Sequence, residues 1–410
     1  MIEREIAKKL KSLAETFPVV TIEGPRQSGK TTLAKMVFPS YSYANLEDGT
    51  VRRLAERDPR AFFEQFPTPA IVDEIQRVPE LLSYIQADVD ERGGNGLYIL
   101  TGSHQPRLRE GISQSLAGRT ALLTLLPLSI RELKSAGVTL ERDEYMFKGF
   151  LPAVYDRGQD PNDAYEAYYR TYVEKDVRQL INVSHQGEFE LFIRLLAGRV
   201  GQVVNLEAMS GEVGVSATTL KEWLSVLEAS YVIFRLHPYY NNFGKRFVKS
   251  PKIYFTDIGL AVHLLDITTS SQVARDPLLG GLFENMVVIE ALKAQYNKGM
   301  RSGPYYIRGK NGVEIDLVVE KARRLHGIEI KSSKTPDDSF VVNMKKFSAN
   351  VAPLESQSVI YSGDDWPISG GGKFINFSDT ASVIDELVGS EVDRRKDEKD
   401  GKARGEAMER

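Results

Sequence analysis

The residues from Gly24 to Thr31 have the types and spacing of a phosphate-binding loop. They read GPRQSGKT, the pattern G-x-x-x-x-G-K-T, between the apolar stretch VVTIE and the helical stretch TTLAKMVF. Glycines at both ends allow backbone N–H groups to wrap a phosphate, and the start of a helix adds a positive field. A glycine turn before a helix is the alternative. The candidate ATP-binding residues are Gly24, Pro25, Arg26, Gln27, Ser28, Gly29, Lys30, Thr31 and Thr32.

Two adjacent carboxylates, Asp73 and Glu74, follow the apolar stretch AIV. Beside such a loop, Lys30 would contact the β- and γ-phosphates, and the hydroxyl of Thr31 together with Asp73 would hold Mg²⁺. Glu74 would orient and polarise the attacking water. The alternative is the polar end of a buried strand. The pair therefore predicts hydrolysis of the nucleotide as well as binding.

Further polar residues are candidates for contacts with the γ-phosphate. Thr101 and Ser103 follow the apolar stretch YIL, where a hydroxyl could sense the γ-phosphate, although hydroxyls are also common in plain strand-to-loop turns. Arg119, in SLAGRT, could stabilise the transferring phosphate in its own or a neighbouring subunit, or it could be an ordinary surface arginine.

A second group of candidate catalytic and metal-binding residues lies near the carboxyl end of the chain. Asp316 in VEIDLVV precedes Glu329 and Lys331 in HGIEIKSS, and a spacing of two places the latter pair on one face of a strand. Two such carboxylates can hold Mg²⁺ while an ammonium group activates water, and Glu284 in LFEN could supply a third acid. A surface ion pair, worth about 0.2–1 kcal/mol, is the alternative.

The elements that must position these residues follow from apolar runs. Strands are predicted at residues 18–23, 41–46, 70–72, 97–101 and 120–126, separated by helical stretches, a pattern typical of a parallel sheet with helices on both faces. Residues 131–199 read as mostly helical. Residues 205–238 contain two short helices and a strand, the order of a winged helix-turn-helix, with Ser216 as an N-cap. From Phe283 a helix and three strands predict a separate α/β domain.

Composition excludes several kinds of functional site and several classes of protein. The 410 residues predict two or three domains, and the absence of cysteine excludes disulfides, iron–sulfur clusters, cysteine zinc sites and cysteine nucleophiles. The charged amino terminus is unlike a signal peptide, and no apolar run approaches the ~18 residues of a membrane span. We therefore expect a soluble, cytoplasmic protein without a membrane partner.

The net charge of −3 means that any nucleic-acid binding must be local. Residues 240–252 and 293–310 each contain several basic side chains without an acid, which could neutralise phosphates or could simply be solvated loops. The second helix of the predicted winged helix offers one cation, Lys221, so sequence-specific reading of DNA is not favoured. The five histidines lack metal-ligand spacing.

Several motifs follow one another along the chain: GPRQSGKTTL, AIVDEIQRVPEL, ILTGSHQ, SLAGRT, LPLSIREL, GFLPAVYD, YFTDIGL and GGLFENMVV. In these motifs the chain resembles the predicted AAA+ ATPases of bacteria and archaea that carry the domain of unknown function 4143. The resemblance covers about residues 1–375. It implies an AAA+-like P-loop NTPase domain, a winged-helix segment and a carboxyl-terminal α/β domain similar to PD-(D/E)XK nucleases, although Ile315 stands where that name has proline. It carries ATP-site roles onto Lys30, Thr31, Asp73 and Glu74, with Ser103 as sensor and Arg119 as arginine finger.

The expected domains are the ATPase at 1–135, a helical linker and winged helix at 136–238, a nuclease-like domain at 239–385 and a charged tail at 386–410. The leading hypothesis is an ATP- and Mg²⁺-dependent ATPase whose nucleotide state controls a winged-helix and nuclease-like module acting on nucleic acid, preferably DNA. A regulatory or scaffold protein, docking proteins or DNA through an inactive nuclease fold, is the second hypothesis. A nuclease with a vestigial ATP site ranks third, and a homo-oligomer is compatible with each.

Overall fold

A computed structural model describes residues 1–103, 112, 114–177, 186–239, 250–300, 303–309, 312–368 and 371–389. These residues form two units. The first comprises the described residues within Met1–His237 and Lys249–Gly303, and the second those within Pro238–Val248 and Pro304–Arg410. Most of the charged tail predicted at 386–410 lies outside the described residues.

A five-stranded parallel sheet forms the centre of the first unit, in the order β2-β3-β4-β1-β5. Its central strands are fully buried because apolar side chains on both faces pack against helices, as the apolar runs predict. The strands are β1 (Val19–Glu23), β2 (Ser42–Asn45), β3 (Ala70–Asp73), β4 (Tyr98–Gly102) and β5 (Thr120–Thr124). The helices are α1 (Ala7–Ala14), α2 (Lys30–Val37), α3 (Gly49–Arg57), α4 (Pro59–Gln65) and α5 (Leu81–Arg92).

Helices follow the sheet, as predicted for the middle of the chain. They are α6 (Ile130–Ser135), α7 (Arg142–Lys148), α8 (Pro152–Asp156), α9 (Pro161–Tyr168), a π-helical segment (Tyr169–Val177), α10 (Gln186–Ala197), α11 (Leu206–Val213) and α12 (Ala217–Ala229). Ser216 accepts a hydrogen bond from the backbone N–H of Thr219 at 3.1 Å, so the predicted N-cap of α12 is confirmed. Gly214, at φ +85°, makes the left-handed turn between α11 and α12.

The first unit continues through β6 (Ile233–Leu236), β7 (Lys252–Phe255), α13 (Ile258–Leu264), α14 (Ser270–Val273) and α15 (Leu279–Asn297). Strands β6 and β7 form an antiparallel pair. The sequence predicts that residues from 239 onward belong to the carboxyl-terminal domain, whereas the described residues within Lys249–Gly303 belong to the first unit. The reason is α15: Glu290 accepts from the backbone N–H of Ile130, and Lys293 donates to the carbonyl of Leu128.

The second unit contains a mixed six-stranded sheet in the order β12-β13-β11-β10-β9-β8. The predicted strands near 305–308, 313–319 and 326–331 are present. The strands are β8 (Tyr305–Arg308), β9 (Glu314–Lys321), β10 (Arg324–Lys331), β11 (Leu354–Tyr361), β12 (Trp366–Pro367) and β13 (Lys373–Asn376). Two helices, α16 (Val342–Asn350) and α17 (Thr380–Val388), accompany the sheet. None of the helices in the described ranges of either unit is long and apolar enough to cross a membrane.

Candidate functional site

The segment between β1 and α2 turns sharply at its two glycines. Gly24 has φ +151°, and a Cβ added there would lie 2.1 Å from the carbonyl oxygen of Leu125. Gly29 has φ +91° immediately before α2 begins. Between them, the hydroxyl of Ser28 donates to the carbonyl of Pro25 at 2.9 Å, and Gln27 takes a left-handed φ of 61°. The backbone therefore forms a tight loop at the amino terminus of a helix, as the sequence predicts.

Lys30 is buried inside this loop, where 5% of its surface is exposed. Its Nζ donates to the carbonyls of Gly24 at 3.1 Å and Pro25 at 2.6 Å. Burial lowers the pKa of Lys30 to about 8, although the carboxylates of Glu74 and Asp73 oppose part of that shift. A phosphate bound in the loop would add negative charge next to this ammonium group and so favour its protonated form.

The carboxylate of Asp73, at the end of β3, accepts hydrogen bonds from three hydroxyl groups. Both of its oxygens lie 3.0 Å from Oγ1 of Thr31, which comes from the first turn of α2. Tyr43 on β2 donates at 2.8 Å, and Thr101 on β4 also donates. Asp73 and Thr101 come together because the carboxyl ends of the parallel strands β3 and β4 share one edge of the sheet. Burial, together with the hydrogen bond to Asp73, raises the pKa of Tyr43.

Glu74 follows Asp73 in a left-handed conformation, with φ 58°. Its backbone N–H donates to Oγ1 of Thr101 at 3.3 Å, and its side chain accepts a hydrogen bond from Nε2 of Gln76. The same Nε2 donates to Oγ of Ser103 at 2.9 Å. The structure therefore brings the predicted residues Glu74 and Ser103 together through Gln76, which belongs to none of the sequence-predicted sites.

A buried arginine near the amino terminus forms hydrogen bonds to the loop and to residues that follow β5. Arg4 donates to the carbonyl of Ser28 at 2.6 Å, to that of Leu126 at 2.7 Å, and to the carboxylate of Glu132 at 3.0 Å. Glu132 also closes a capping box with Ser129 at the start of α6. Arg4 was missed from the sequence because its partners are 24 to 128 residues away.

The other predicted loop residues face outward or make longer contacts. Arg26 forms an ion pair with Glu47 at 3.7 Å, and its guanidinium lies 5.9 Å from the centre of the Tyr172 ring. Thr32 is exposed in the first turn of α2. Both are compatible with contacts to a bound nucleotide.

Arg119 lies at the amino-terminal end of β5, whereas the loop follows the carboxyl end of β1. Because Val19 pairs with Thr120 and Glu23 with Thr124, about four residues, or ~13 Å of strand, separate the two edges. Arg119 donates to both carboxylate oxygens of Asp90, at 2.6 and 2.8 Å. The structure therefore does not bring Arg119 to the loop of its own chain. Two of the predicted alternatives remain, action on a neighbouring subunit and an ordinary surface arginine paired with Asp90.

The carboxyl-terminal residues Asp316, Glu329 and Lys331 meet in the second unit. Leu317 on β9 pairs with Ile328 on β10, so the next residues along, Asp316 and Glu329, lie side by side. Both carboxylates are buried, and Nζ of Lys331 lies 2.7 Å from Oε1 of Glu329 and 3.6 Å from Oδ2 of Asp316. Oδ2 of Asp316 also accepts from the backbone N–H of Ile330 at 3.0 Å. The structure therefore brings these three predicted residues together.

Glu284, predicted as a third acidic ligand, lies in the first unit. Its Oε1 accepts from Nζ of Lys252 at 2.9 Å and from the hydroxyl of Tyr254 at 2.6 Å. Across the residues that the structure describes, no group of three or more His, Asp or Glu side chains could hold a metal ion. Two carboxylates with water as the other ligands remain a chemically suitable donor set for Mg²⁺.

Two cations of the predicted basic patches are structural. Lys252 is 2% exposed in its contact with Glu284, and Lys293, also 2% exposed, contacts Glu290 at 2.8 Å and the ring of Phe150. Arg308 forms an ion pair with Glu314 at 3.4 Å. The predictions for Lys245, Arg246, Lys249, Arg301 and Lys310 fall outside the described residues. The interpretation of 240–252 and 293–310 as phosphate-binding surfaces is therefore weakened.

Comparison with known proteins assigns the chain to a family. Family models match an AAA domain over residues 16–134, a domain of unknown function (DUF8612) over 140–271, and a domain of unknown function (DUF4143) over 279–378. The uncharacterized proteins Rv2008c of Mycobacterium tuberculosis and Mb2031c of Mycobacterium bovis are each 32% identical over 375 residues, which covers 89% of this chain and 81% of each relative. The chain belongs to the family of AAA ATPases that carry DUF4143.

Membership of this AAA–DUF4143 family confirms the resemblance inferred from the motifs. Two solved structures are also similar to the chain. The Walker-type ATPase PABY2304 of Pyrococcus abyssi is 14% identical, with a TM-score of 0.44, and covers 64% of this chain and 96% of its own. AMPPCP-bound DnaA from Aquifex aeolicus is 13% identical, with a TM-score of 0.28, and covers 54% of this chain and 85% of its own.

Proposed function

We propose that this protein binds and hydrolyses ATP at the carboxyl edge of its parallel sheet. The observation that carries the proposal is the position of Asp73, whose carboxylate lies 3.0 Å from Oγ1 of Thr31 and next to Glu74. The loop N–H groups and Lys30 bind the phosphates, and Ser103 donates to the γ-phosphate. Glu74 accepts a proton from the attacking water.

Mg²⁺ fits the same site. Thr31 and Asp73 present a hydroxyl and a carboxylate, which are oxygen ligands of the kind that Mg²⁺ prefers together with water and phosphate. When bound, Mg²⁺ neutralises charge on the β- and γ-phosphates. The three hydroxyls on Asp73 hold its carboxylate in a fixed position for this role.

The test is ATP turnover by the full-length chain and by Lys30→Ala, with Lys11→Ala as a control that removes an exposed lysine on α1. Lys30→Ala should lose nucleotide affinity and turnover, whereas Lys11→Ala should match the wild type. Equal turnover by Lys30→Ala would refute the assignment of this site.

For the second unit we propose a Mg²⁺-dependent nuclease-like site acting on nucleic acid, controlled by nucleotide state through the α11–α12 winged-helix segment. Support comes from the meeting of Asp316, Glu329 and Lys331 on two adjacent strands. The two carboxylates would hold Mg²⁺, and the Lys331 ammonium would neutralise charge on the attacked phosphate.

A specific observation favours the alternative of a regulatory or scaffold protein. Nζ of Lys331 lies within 4 Å of both carboxylates and so occupies the cation position between them. The burial of Lys252 and Lys293 also removes two cations from the surfaces expected to bind nucleic acid. In this alternative the second unit docks a protein or DNA without cutting it.

Cleavage of supercoiled DNA with and without Mg²⁺ separates the two candidates. The nuclease proposal expects nicking that is lost in Lys331→Ala and kept in Lys373→Ala, which removes an exposed lysine on β13. Nicking that survives in Lys331→Ala would indicate another site or contamination. An intact substrate that nevertheless binds the wild-type protein would support docking.

A further inference from the structure

Gln76 is a buried residue beside the proposed ATP site that has no role in the binding or hydrolysis steps described above. It lies in the 3₁₀ turn Ile75–Arg77, two residues after Glu74, and is 8% exposed. Its Nε2 donates to the carboxylate of Glu74 and to Oγ of Ser103. These contacts join the ends of β3 and β4 beside the loop.

The hydrogen-bonding capacity of these groups fixes the direction of the contacts. A carboxylate only accepts, so the amide must present its nitrogen, and both amide hydrogens are then used by Glu74 and Ser103. Ser103 accepts from Gln76, and among the described residues its own hydroxyl hydrogen has no acceptor. Oε1 of Gln76 is likewise buried without a donor in the described part of the chain.

We propose that Gln76 is a positioning residue that couples contact with the γ-phosphate at Ser103 to the orientation of Glu74. The hydroxyl of Ser103 donates to a γ-phosphate oxygen, which strengthens it as an acceptor for Gln76 and fixes the amide that holds Glu74. A diphosphate lacks the group that completes this chain of hydrogen bonds. The proposal rests on the proposed ATP hydrolysis and deepens it.

The reaction that Glu74 serves is a hydrolysis. The water oxygen forms a bond to the γ-phosphorus, the bond from that phosphorus to the bridging oxygen breaks, and ADP leaves with the electron pair. The proton of the water passes to Glu74. Gln76 takes no part in these bond changes, so its removal should lower kcat and leave nucleotide affinity unchanged.

The experiment measures ATP turnover and the affinity for a fluorescent ATP analogue in the full-length chain. Gln76→Leu removes both contacts at similar volume, and Gln65→Leu, at an exposed position on α4, is the matched control. We expect at least a tenfold fall in kcat for Gln76→Leu, with affinity changed less than twofold. Ser103→Ala should lower kcat in the same direction, which keeps the inference testable if Gln76→Leu misfolds.

A double-mutant comparison separates positioning from a merely structural role. In the background of Glu74→Gln, the change Gln76→Leu should have no further effect on kcat, because Gln76 acts through Glu74. An unchanged kcat in Gln76→Leu, or the same fall in both backgrounds, would overturn the inference while leaving ATP hydrolysis intact. Absence of turnover in the wild type would instead overturn the proposed function, and this inference with it.

Discussion

The buried Lys30 makes nucleotide affinity depend on pH in a defined direction. Burial lowers the pKa of its ammonium group to about 8 in the chain without nucleotide. A bound triphosphate places negative charge next to Nζ, which favours the protonated form. ATP binding is therefore linked to uptake of a proton, and affinity should fall as the pH rises through 8.

The size of the effect follows from that pKa. Lys30 is about 90% protonated at pH 7 and about 10% at pH 9 when the pKa is about 8. If the bound form stays protonated over this range, the Kd for ATP rises about tenfold, equivalent to about 1.4 kcal/mol. At pH 8 about half a proton should be taken up for each nucleotide bound.

Equilibrium titration with a non-hydrolysable fluorescent ATP analogue, at fixed ionic strength and Mg²⁺ concentration, measures the change in Kd. Calorimetry in buffers of different ionisation enthalpy measures the proton uptake. Lys30→Met should bind more weakly with a flat profile between pH 7 and 9, and Lys11→Met should follow the wild type. A flat wild-type profile, or an equal slope in Lys30→Met, would refute the reasoning.

Three further predictions concern other contacts of the first unit. Arg4→Met leaves the buried carboxylate of Glu132 without its cation, so chemical denaturation should show a loss of about 3–5 kcal/mol in the free energy of unfolding; a loss below 1 kcal/mol would contradict this. If Arg119 acts on a neighbouring subunit, Arg119→Ala and Lys30→Ala should each be inactive alone and their mixture should regain turnover; an active Arg119→Ala, or no regain in the mixture, would exclude that role. Tyr43→Phe removes one of the hydroxyls that hold Asp73, so half-maximal turnover should require several-fold more Mg²⁺; an unchanged requirement would show that this hydroxyl is dispensable.

The parallel sheet could be predicted because four of its strands, β1, β3, β4 and β5, contain short apolar runs. The loop, Asp73 and Glu74 could be placed because parallel strands deliver their carboxyl ends to one edge. In the second unit, the spacing of two predicts that Glu329 and Lys331 share one face of a strand. The antiparallel register of β9 and β10, which places Asp316 beside Glu329, is known only from the structure.

Residues whose importance depends on tertiary contacts could not be found in this way. Tyr43 and Gln76 have ordinary local sequences, and their partners Asp73 and Ser103 lie 30 and 27 residues away. From the sequence alone Arg4 is expected to be an exposed surface charge, because its partners come near it only in the folded chain.

The basic stretch that begins at Lys293 shows a limit of counting charges in a window. The ion-pair partner of Lys293 is Glu290, which lies three residues upstream and outside the stretch. On a helix, two side chains at this spacing are neighbours. Burial of α15 then turns an apparent surface cation into a core ion pair. Helical spacing should therefore be checked before an acid-free stretch is interpreted as a binding surface.

Single-turnover release of phosphate by Glu74→Gln tests the central claim most directly. This variant keeps the loop, Lys30 and Asp73, so it should bind ATP as tightly as the wild type and cleave it 10²–10⁴-fold more slowly. Glu56→Gln, which changes an exposed glutamate on α3, should cleave at the wild-type rate. Cleavage by Glu74→Gln at the wild-type rate would contradict the account.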